Sequence, residues 1–510
     1  MDTISGSSGN DTLTGTTAAE AIFGGDGNDT LTGAAGNDEL YGGKGTDTAS
    51  YSGAYSSYTI TPLYEGKNGA LSGYSIAAIS GTDGIDSVSS DVEYLKFSNG
   101  TYQLDSGTVS EIVSGSVSAD HLSGTNIASV IDGGAGNDTL TGGLGADTFI
   151  VGSGSDTITD LGSGGTDILN VSAGATVIAT LSSAWIASSS TYNKGTASIN
   201  SPGLLVNMAA VVDGTAGFSI YNTSTTAASL TGSALSDLIT GNLGDDTLTG
   251  GIGNDTLSGG SGSDLVYLQG KLSDYKISVV SRTGTGTISD SVSSRDGSDS
   301  LQGIEHIRFS DFDVNTLTKS IASSVTTATL QRVMELYVAF FNRTPDADGL
   351  SYWLNQTLAG SSINAIADAF YNVGVQYTSL TGFSPTMSNA DFVNVVYRNV
   401  LGRSDGADAG GLAYWTGELA SGNATRGSLV STILDSAHTY KGDSTYGWVA
   451  NLLDNKITVA KQVSVDWSLN YLTADASVTN GMAIAKAVTA TDTSAAIALV
   501  GLPTDSITIN

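Results

Sequence analysis

Cysteine is absent from the 510 residues, which excludes disulfides, thiolate metal ligands and a cysteine nucleophile. Proline is nearly as scarce, at five residues, so neither a collagen-like segment nor a proline-rich linker can be built. The three histidines, His121, His306 and His438, lie far apart and form no H-E-x-x-H pair, which argues against a zinc hydrolase. Cations are few. Lys and Arg total 19 against 50 Asp and Glu, a net charge of −31, so no nucleic-acid partner is expected. No uninterrupted apolar run reaches about 18 residues, so no transmembrane segment is expected. Met1-Asp2-Thr3-Ile4-Ser5 has neither the basic region nor the apolar run of an ordinary N-terminal leader. A secreted chain of this size without disulfides needs another staple, and the acidic balance suits a divalent cation.

Glycine, by contrast, is abundant at 66 residues, and it falls in nines. From Gly24 the chain reads GGDGNDTLT, GAAGNDELY and GGKGTDTAS. Two upstream nonads keep the phase, GSSGNDTLT from Gly6 and GTTAAEAIF from Gly15. Six residues make a turn and three a short strand, with the eighth position apolar and inward, as in Leu13, Ile22, Leu31 and Leu40. A glycine-rich linker has no reason to keep that phase. Two nonads complete a coil, so alternate turns stack on the same side. Asp11, Asp29 and Asp47 then line one edge, with Asp38 on the other. Stacked carboxylates repel unless a cation lies between them, and an oxygen-only cage suits Ca²⁺.

The pattern recurs in a second block, residues 115–171, with Asp120, Asp138 and Asp156 on one edge and Asp147 on the other. It recurs again in a third, residues 232–267, where Asp237 stacks with Asp255 and Asp246 with Asp264. Glu20 and Ser129 replace the sixth-position aspartate in two turns, and Ser129 should leave its turn a poor binder. Residues 51–114 and 268–324 lose the nonad but share a plan of strands and turns, Val92-Glu93-Tyr94-Leu95-Lys96-Phe97 answering Ile304-Glu305-His306-Ile307-Arg308-Phe309. These segments and residues 172–231 are expected to be small antiparallel β modules, the shared pair closing the rolls before them.

Near residue 325 the period changes from two to about 3.6. Leu330, Val333, Met334, Tyr337, Phe340 and Phe341 form a helical face. Tyr337, Asn342-Arg343 and Gly349-Leu350-Ser351-Tyr352-Trp353 are answered by Tyr397, Gly402-Arg403 and Gly411-Leu412-Ala413-Tyr414-Trp415. A helical tandem repeat is expected over 325–443 and a helical C-terminal region over 444–510, with an extended tail from Leu502. Arg343 and Arg403 are expected to pair with nearby turn carboxylates, and the Tyr-Trp pairs to be core. Glycan capture by these arginines and tryptophans is the less favoured reading.

The nonads resemble the hemolysin-type calcium-binding repeats of RTX proteins, and the helical pair resembles a domain of unknown function that recurs in bacterial RTX and surface-layer-like proteins. The segment Asn170 to Thr176 resembles parts of large bacterial surface proteins. The resemblance implies parallel β-rolls with Ca²⁺ between same-side turns, at most about eight ions here. It assigns metal-facing roles in block one to Gly6, Gly9, Asn10 and Asp11, to Gly24, Gly25, Asp26, Gly27, Asn28 and Asp29, to Gly36, Asn37 and Asp38, and to Gly42, Gly43, Gly45 and Asp47. In block two they are Asp120, Gly133, Gly134, Ala135, Gly136, Asn137, Asp138, Gly142, Gly143, Gly145, Asp147, Gly154 and Asp156. In block three they are Asp237, Gly244, Asp245, Asp246, Gly250, Gly251, Ile252, Gly253, Asn254, Asp255, Gly259, Gly260, Gly262 and Asp264. It further implies export by a type I system that reads a C-terminal signal.

Catalysis finds little support in the sequence. Gly402-Arg403-Ser404-Asp405-Gly406 fits G-x-S-x-G, but a helix rather than a strand precedes it. Asp346-Ala347-Asp348-Gly349 opens like an EF-hand loop, yet Thr357 stands where the bidentate glutamate belongs. The expectation is therefore a non-enzymatic, mainly β protein of parallel β-rolls and antiparallel β modules followed by an all-α domain. Its expected role is a secreted, calcium-binding structural protein of the bacterial surface that forms a homo-oligomer or lattice. The alternative is an adhesin that binds cell-surface polysaccharide.

Overall fold

The computed structural model describes residues 1–66, 68–502 and 507–510. Two compact units are present: Met1–Thr223 with Thr231–Leu235, and Ser224–Leu230 with Ser236–Asn510.

In the first unit the nonad strands stack as expected, in parallel and in register. On one face Glu20–Asp26 pairs with Glu39–Lys44, placing Ile22 beside Leu40. On the other, Thr12–Thr14, Thr30–Thr32 and Thr48–Ser50 align Leu13, Leu31 and Ala49. Ile22, Leu31, Leu40 and Ala49 are completely buried, so the eighth position is the core of the coil. Block two repeats this with Leu122, Leu140 and Ile158 on one face and Ile131 and Phe149 on the other.

The segment after block one does contain the expected antiparallel strands, Tyr58–Glu65 against Ala70–Ala78. It does more than close the roll. The chain returns from this hairpin to add Ile85–Ser89 parallel to Glu39–Lys44, and Tyr94–Phe97 parallel to Thr48–Ser50. Val88 continues the Leu40 column and Leu95 the Ala49 column. The hairpin is therefore an insertion within a coil.

Residues 172–231 correct the expectation of an antiparallel module. Ser153–Leu161, Thr176–Leu181, Thr196–Ser201 and Phe218–Asn222 are all parallel neighbours, so the solenoid continues in coils longer than eighteen residues. Val177, Ala197 and Phe218 take over the inward column. The larger coil accommodates Trp185, fully buried, whose indole N–H donates to the Asp167 carbonyl at 3.0 Å.

The second unit begins with block three, where Ile239, Leu257 and Leu301 form one column and Leu248, Val266 and Ile307 the other. Its inserted hairpin, Tyr275–Val280 with Thr285–Asp290, copies the first. Gly53 and Gly270 each donate an N–H to the phenol of the tyrosine five residues on, Tyr58 or Tyr275, and that phenol donates to Asp83 or Asp296.

The helical region holds the expected two copies. Thr327–Phe341, Ala347–Leu358 and Ile363–Gly374 are followed by Asn389–Leu401, Ala409–Ser421 and Arg426–Thr439. The first helices start at Thr326 or Ser388 and the second at Asp346 or Asp408, each side chain capping an N–H three residues on. The first helices end on Asn342 and Gly402, both left-handed, which explains why Asn answers Gly at that position. Phe340, Phe370, Phe383 and Phe392 centre a single apolar core.

The C-terminal region departs from all-helical. After helix Gly447–Lys461, Leu469–Tyr471 pairs antiparallel with Phe312–Asn315, and Ile507–Ile509 adds a parallel strand to Tyr275–Val280. The extended tail is thus a strand over its last described residues, while 503–506 lie outside the described residues. Among the described residues no helix is long and apolar enough to cross a membrane.

Candidate metal centres along the roll edges

Each hexapeptide turn is shaped by its glycines. At Gly24 a Cβ would collide with the turn's own Asp29 Oδ2 and with the Gly42 carbonyl oxygen one coil on. The missing side chain thus keeps open a cradle with a carboxylate and a carbonyl at its wall. Gly27 has φ 124°, and a Cβ there would fall on the Gly9 carbonyl of the preceding coil. The same contacts recur at Gly250 with Asp255, and at Gly241 with Asp246 and the Gly259 carbonyl.

The sixth-position aspartates form a ladder. The Asp11 N–H donates to Asp29 Oδ1 at 2.8 Å, and the Asp29 N–H to Asp47 Oδ1 at 2.7 Å. In block two Asp120 donates to Asp138 and Asp138 to Asp156, at 2.9 and 3.0 Å. In block three Asp237 donates to Asp255 and Asp246 to Asp264, both at 2.8 Å. One oxygen of each accepting carboxylate is spent on the ladder. The other, Oδ2, is buried without a protein hydrogen-bond partner in Asp29, Asp38, Asp47, Asp138, Asp147, Asp156, Asp255 and Asp264. Burial pushes the carboxyl of Asp255 up to about 8 and that of Asp264 to about 6, and raises Asp38, Asp47, Asp147 and Asp156 as well. A buried anionic oxygen with no donor is costly, and a cation is what relieves it.

Several sequence-predicted residues are placed differently. Asp11 Oδ2 accepts from both the N–H and the hydroxyl of Ser7, at 2.6 and 2.8 Å, and Asp120 is held identically by Ser116. These first turns are sealed by a second-position serine. Glu20 is sealed by Thr16. Ser129 keeps its N–H in the ladder, on Asp147 at 2.8 Å, but contributes no carboxylate. The fifth position has a role of its own. Asn10, Asn28, Asn37, Asn137, Asp245 and Asn254 each accept the fifth-position N–H of the next coil, at 2.8–3.0 Å. Asp26 forms an exposed ion pair with Lys44 at 3.1 Å.

The ladder also runs out of the nonad phase through residues the sequence reading missed. Asp38 donates to Asp86, Asp147 to Asp167 and Asp255 to Asp299, at 3.0, 2.9 and 2.9 Å. Asp47 and Asp264 donate to Glu93 and Glu305, at 2.7 and 2.9 Å. Burial raises Asp86 and Asp299 to about 7 and Asp167 to about 6. The signal was present. Gly81-Thr82-Asp83-Gly84-Ile85-Asp86 and Gly162-Ser163-Gly164-Gly165-Thr166-Asp167 keep glycine at positions one and four and aspartate at six, but insertions shift them out of phase. Two further carboxylates hold glycine N–H groups of these turns: Asp91 accepts from Gly42 and Gly43, and Asp160 from Gly142 and Gly143.

Among the described residues no three His, Asp or Glu side chains converge as a metal cluster, so carboxylates here need main-chain carbonyls to complete a cage. A family model described as the RTX calcium-binding nonapeptide repeat matches four times, over residues 1–19, 14–49, 123–158 and 231–266. The chain carries RTX calcium-binding repeats. A second model, "Domain of unknown function (DUF4214)", matches residues 381–441 in the second helical copy. Among solved structures the chain is similar to the extracellular lipase LipA from Serratia marcescens, with 18% identity over 44% of this chain and 33% of that one and a TM-score of 0.18. The match thus spans about a third of the lipase. Nothing among curated proteins matches.

The RTX rolls fit Ca²⁺ by donor chemistry: hard oxygens only, a desolvated carboxylate in most turns, and glycine carbonyls exposed by the missing Cβ. The residues that would hold it are Asp29, Asp38, Asp47, Asp138, Asp147, Asp156, Asp255 and Asp264 with the carbonyls of their turns. The ion would supply the positive charge these edges lack.

The two arginines and two of the three histidines weighed in the sequence have structural partners. Arg343 pairs with Asp346 and Arg403 with Asp408, as expected. His306 lies 2.7 Å from Asp313 and His438 2.6 Å from Glu335. Trp415 is buried, but Tyr352 and Tyr414 are exposed, which corrects the expectation that the whole Tyr-Trp pairs are core.

Proposed function

We propose that this protein is a secreted, calcium-binding structural component of the bacterial surface, of surface-layer or extracellular-matrix type, folded and assembled by calcium. The observation that carries the reading is the row of buried aspartates, each with one oxygen accepting an N–H of the preceding coil and the other without a donor. Such edges are unfavourable at low calcium and favourable at high calcium. An exporter of type I would pass the chain unfolded, and external calcium would fold it. No catalytic role is assigned: Ser404 is exposed on a turn that follows a helix, and among the described residues its hydroxyl reaches only the neighbouring Asp405, at 3.3 Å.

Assembly is the testable part. Sedimentation velocity of purified protein should show monomer in chelator and large species at millimolar calcium. A single monomeric boundary in both conditions would contradict the structural role while leaving calcium binding intact.

A further inference from the structure

The two helical copies carry the same Arg-Asp pair, across a longer turn in the second copy, in different surroundings. In the first, Arg343 Nη1 lies 3.1 Å from Asp346 Oδ2, and Asp346 Oδ1 accepts the Gly349 N–H at 2.7 Å. In the second, Arg403 Nη1 lies 3.2 Å from Asp408 Oδ2, and Asp408 Oδ1 accepts the Gly411 N–H at 2.9 Å. Each guanidinium rests on a tyrosine ring, Tyr337 at 5.1 Å or Tyr397 at 5.6 Å. Each turn leads to a Tyr-Trp pair in edge contact.

What covers the ion pair differs. Helix Ala474–Ala487 lies on the first copy, where the Ser477 hydroxyl accepts from Arg343 Nη1 at 3.1 Å and donates to Asp346 Oδ2. One hydroxyl therefore uses both its hydrogen-bonding roles across the pair. The Gly481 carbonyl accepts the Thr344 N–H beside it at 3.1 Å. Among the described residues no hydroxyl bridges Arg403 and Asp408. The Asp408 side chain is 59% exposed, against 18% for Asp346. The second pair opens instead on a pocket of about 370 Å³ walled by Tyr414, Trp415, Tyr440 and Tyr446. The three tyrosines are exposed and the tryptophan is buried behind them.

We infer that this pocket binds a saccharide, with one sugar hydroxyl bridging Arg403 and Asp408 as Ser477 bridges Arg343 and Asp346, and with the apolar face of the ring against the tyrosines. The first copy shows that the pair is a hydroxyl receptor. A phosphate or carboxylate would meet Asp408, and an ammonium would meet Arg403. A purely apolar ligand would leave both charges without the partner a hydroxyl supplies. The volume is at the small end of ligand pockets, room for about one sugar unit.

The test uses full-length, calcium-loaded protein and five probes: the methyl glycosides of glucose, galactose, mannose, N-acetylglucosamine and rhamnose. Tryptophan emission and saturation-transfer NMR are read for each. At least one probe should give a saturable change at millimolar concentration. Asp408→Asn and Tyr414→Ala should each weaken it about tenfold or more. Both side chains are exposed, so each variant should keep the wild-type helical circular dichroism, and if one does not the other decides. No saturable response to any of the five at tens of millimolar would overturn the inference. So would a response that survives in the correctly folded variants.

Discussion

Replacing Asp29, Asp138 and Asp255 together by alanine is expected to raise the calcium concentration needed for the β-sheet signal by at least about tenfold. Each of the three is buried, each holds an N–H of the preceding coil on Oδ1, and each has a bare Oδ2. Alanine removes the anionic oxygen and also strands the N–H groups of Asp11, Asp120 and Asp237, at about 1–3 kcal/mol apiece where these are buried. The matching asparagine triple variant separates the two effects, because its amide oxygen can still accept the ladder N–H. If coordination dominates, alanine and asparagine variants shift the calcium midpoint alike. If the ladder dominates, only alanine shifts it. A midpoint unchanged in both would show that these carboxylates do not bind the ion.

Acid should substitute for calcium. Burial raises Asp255 to about 8, Asp86 and Asp299 to about 7, and Asp167 and Asp264 to about 6, all from an unfolded value near 3.8. Between about pH 4 and 8 the folded, calcium-free chain then binds more protons than the unfolded chain, so its stability falls as pH rises through that window. In chelator the β-sheet signal should be strongest near pH 4 and fade toward pH 8. Calcium needs the same carboxylates ionised, so its apparent affinity should rise with pH over that range, and its binding should release protons. Circular dichroism across pH, with proton release followed in weakly buffered solution, checks both signs. A calcium-free β signal that grows from pH 4 to pH 8 would contradict the assignment of these buried acids.

The parts of the fold written in phase were legible in the sequence. A glycine-aspartate turn with one apolar position in nine leaves a two-strand coil as the only economical arrangement, and Ile22, Leu31, Leu40, Phe149, Ile239 and Leu257 are fully buried accordingly. The helical repeat was legible because Tyr337, Arg343 and Tyr352-Trp353 are answered in the same order by Tyr397, Arg403 and Tyr414-Trp415, although the stretch from Arg to Gly is longer in the second copy. What escaped notice had lost its phase or its partner. Asp86 and Asp299 follow hairpins inserted inside a coil, so their alignment with Asp38 and Asp255 appears only in three dimensions. Residues 172–231 alternate inward and outward as strands do, and alternation carries no information about parallel or antiparallel neighbours. Leu469–Tyr471 and Ile507–Ile509 are three residues long and pair with strands far away in sequence, too short for any local pattern to reveal. The hydroxyl bridge of Ser477 across Arg343 and Asp346 was hidden for the same reason.

The most direct measurement is far-ultraviolet circular dichroism of the wild-type chain at pH 8, first in chelator and then through a calcium titration. In chelator the spectrum should show the helices of residues 327–487 and little β-sheet, and calcium should bring in the β-sheet signal cooperatively. A β-sheet spectrum in chelator indistinguishable from that in calcium would contradict calcium-driven folding of the rolls.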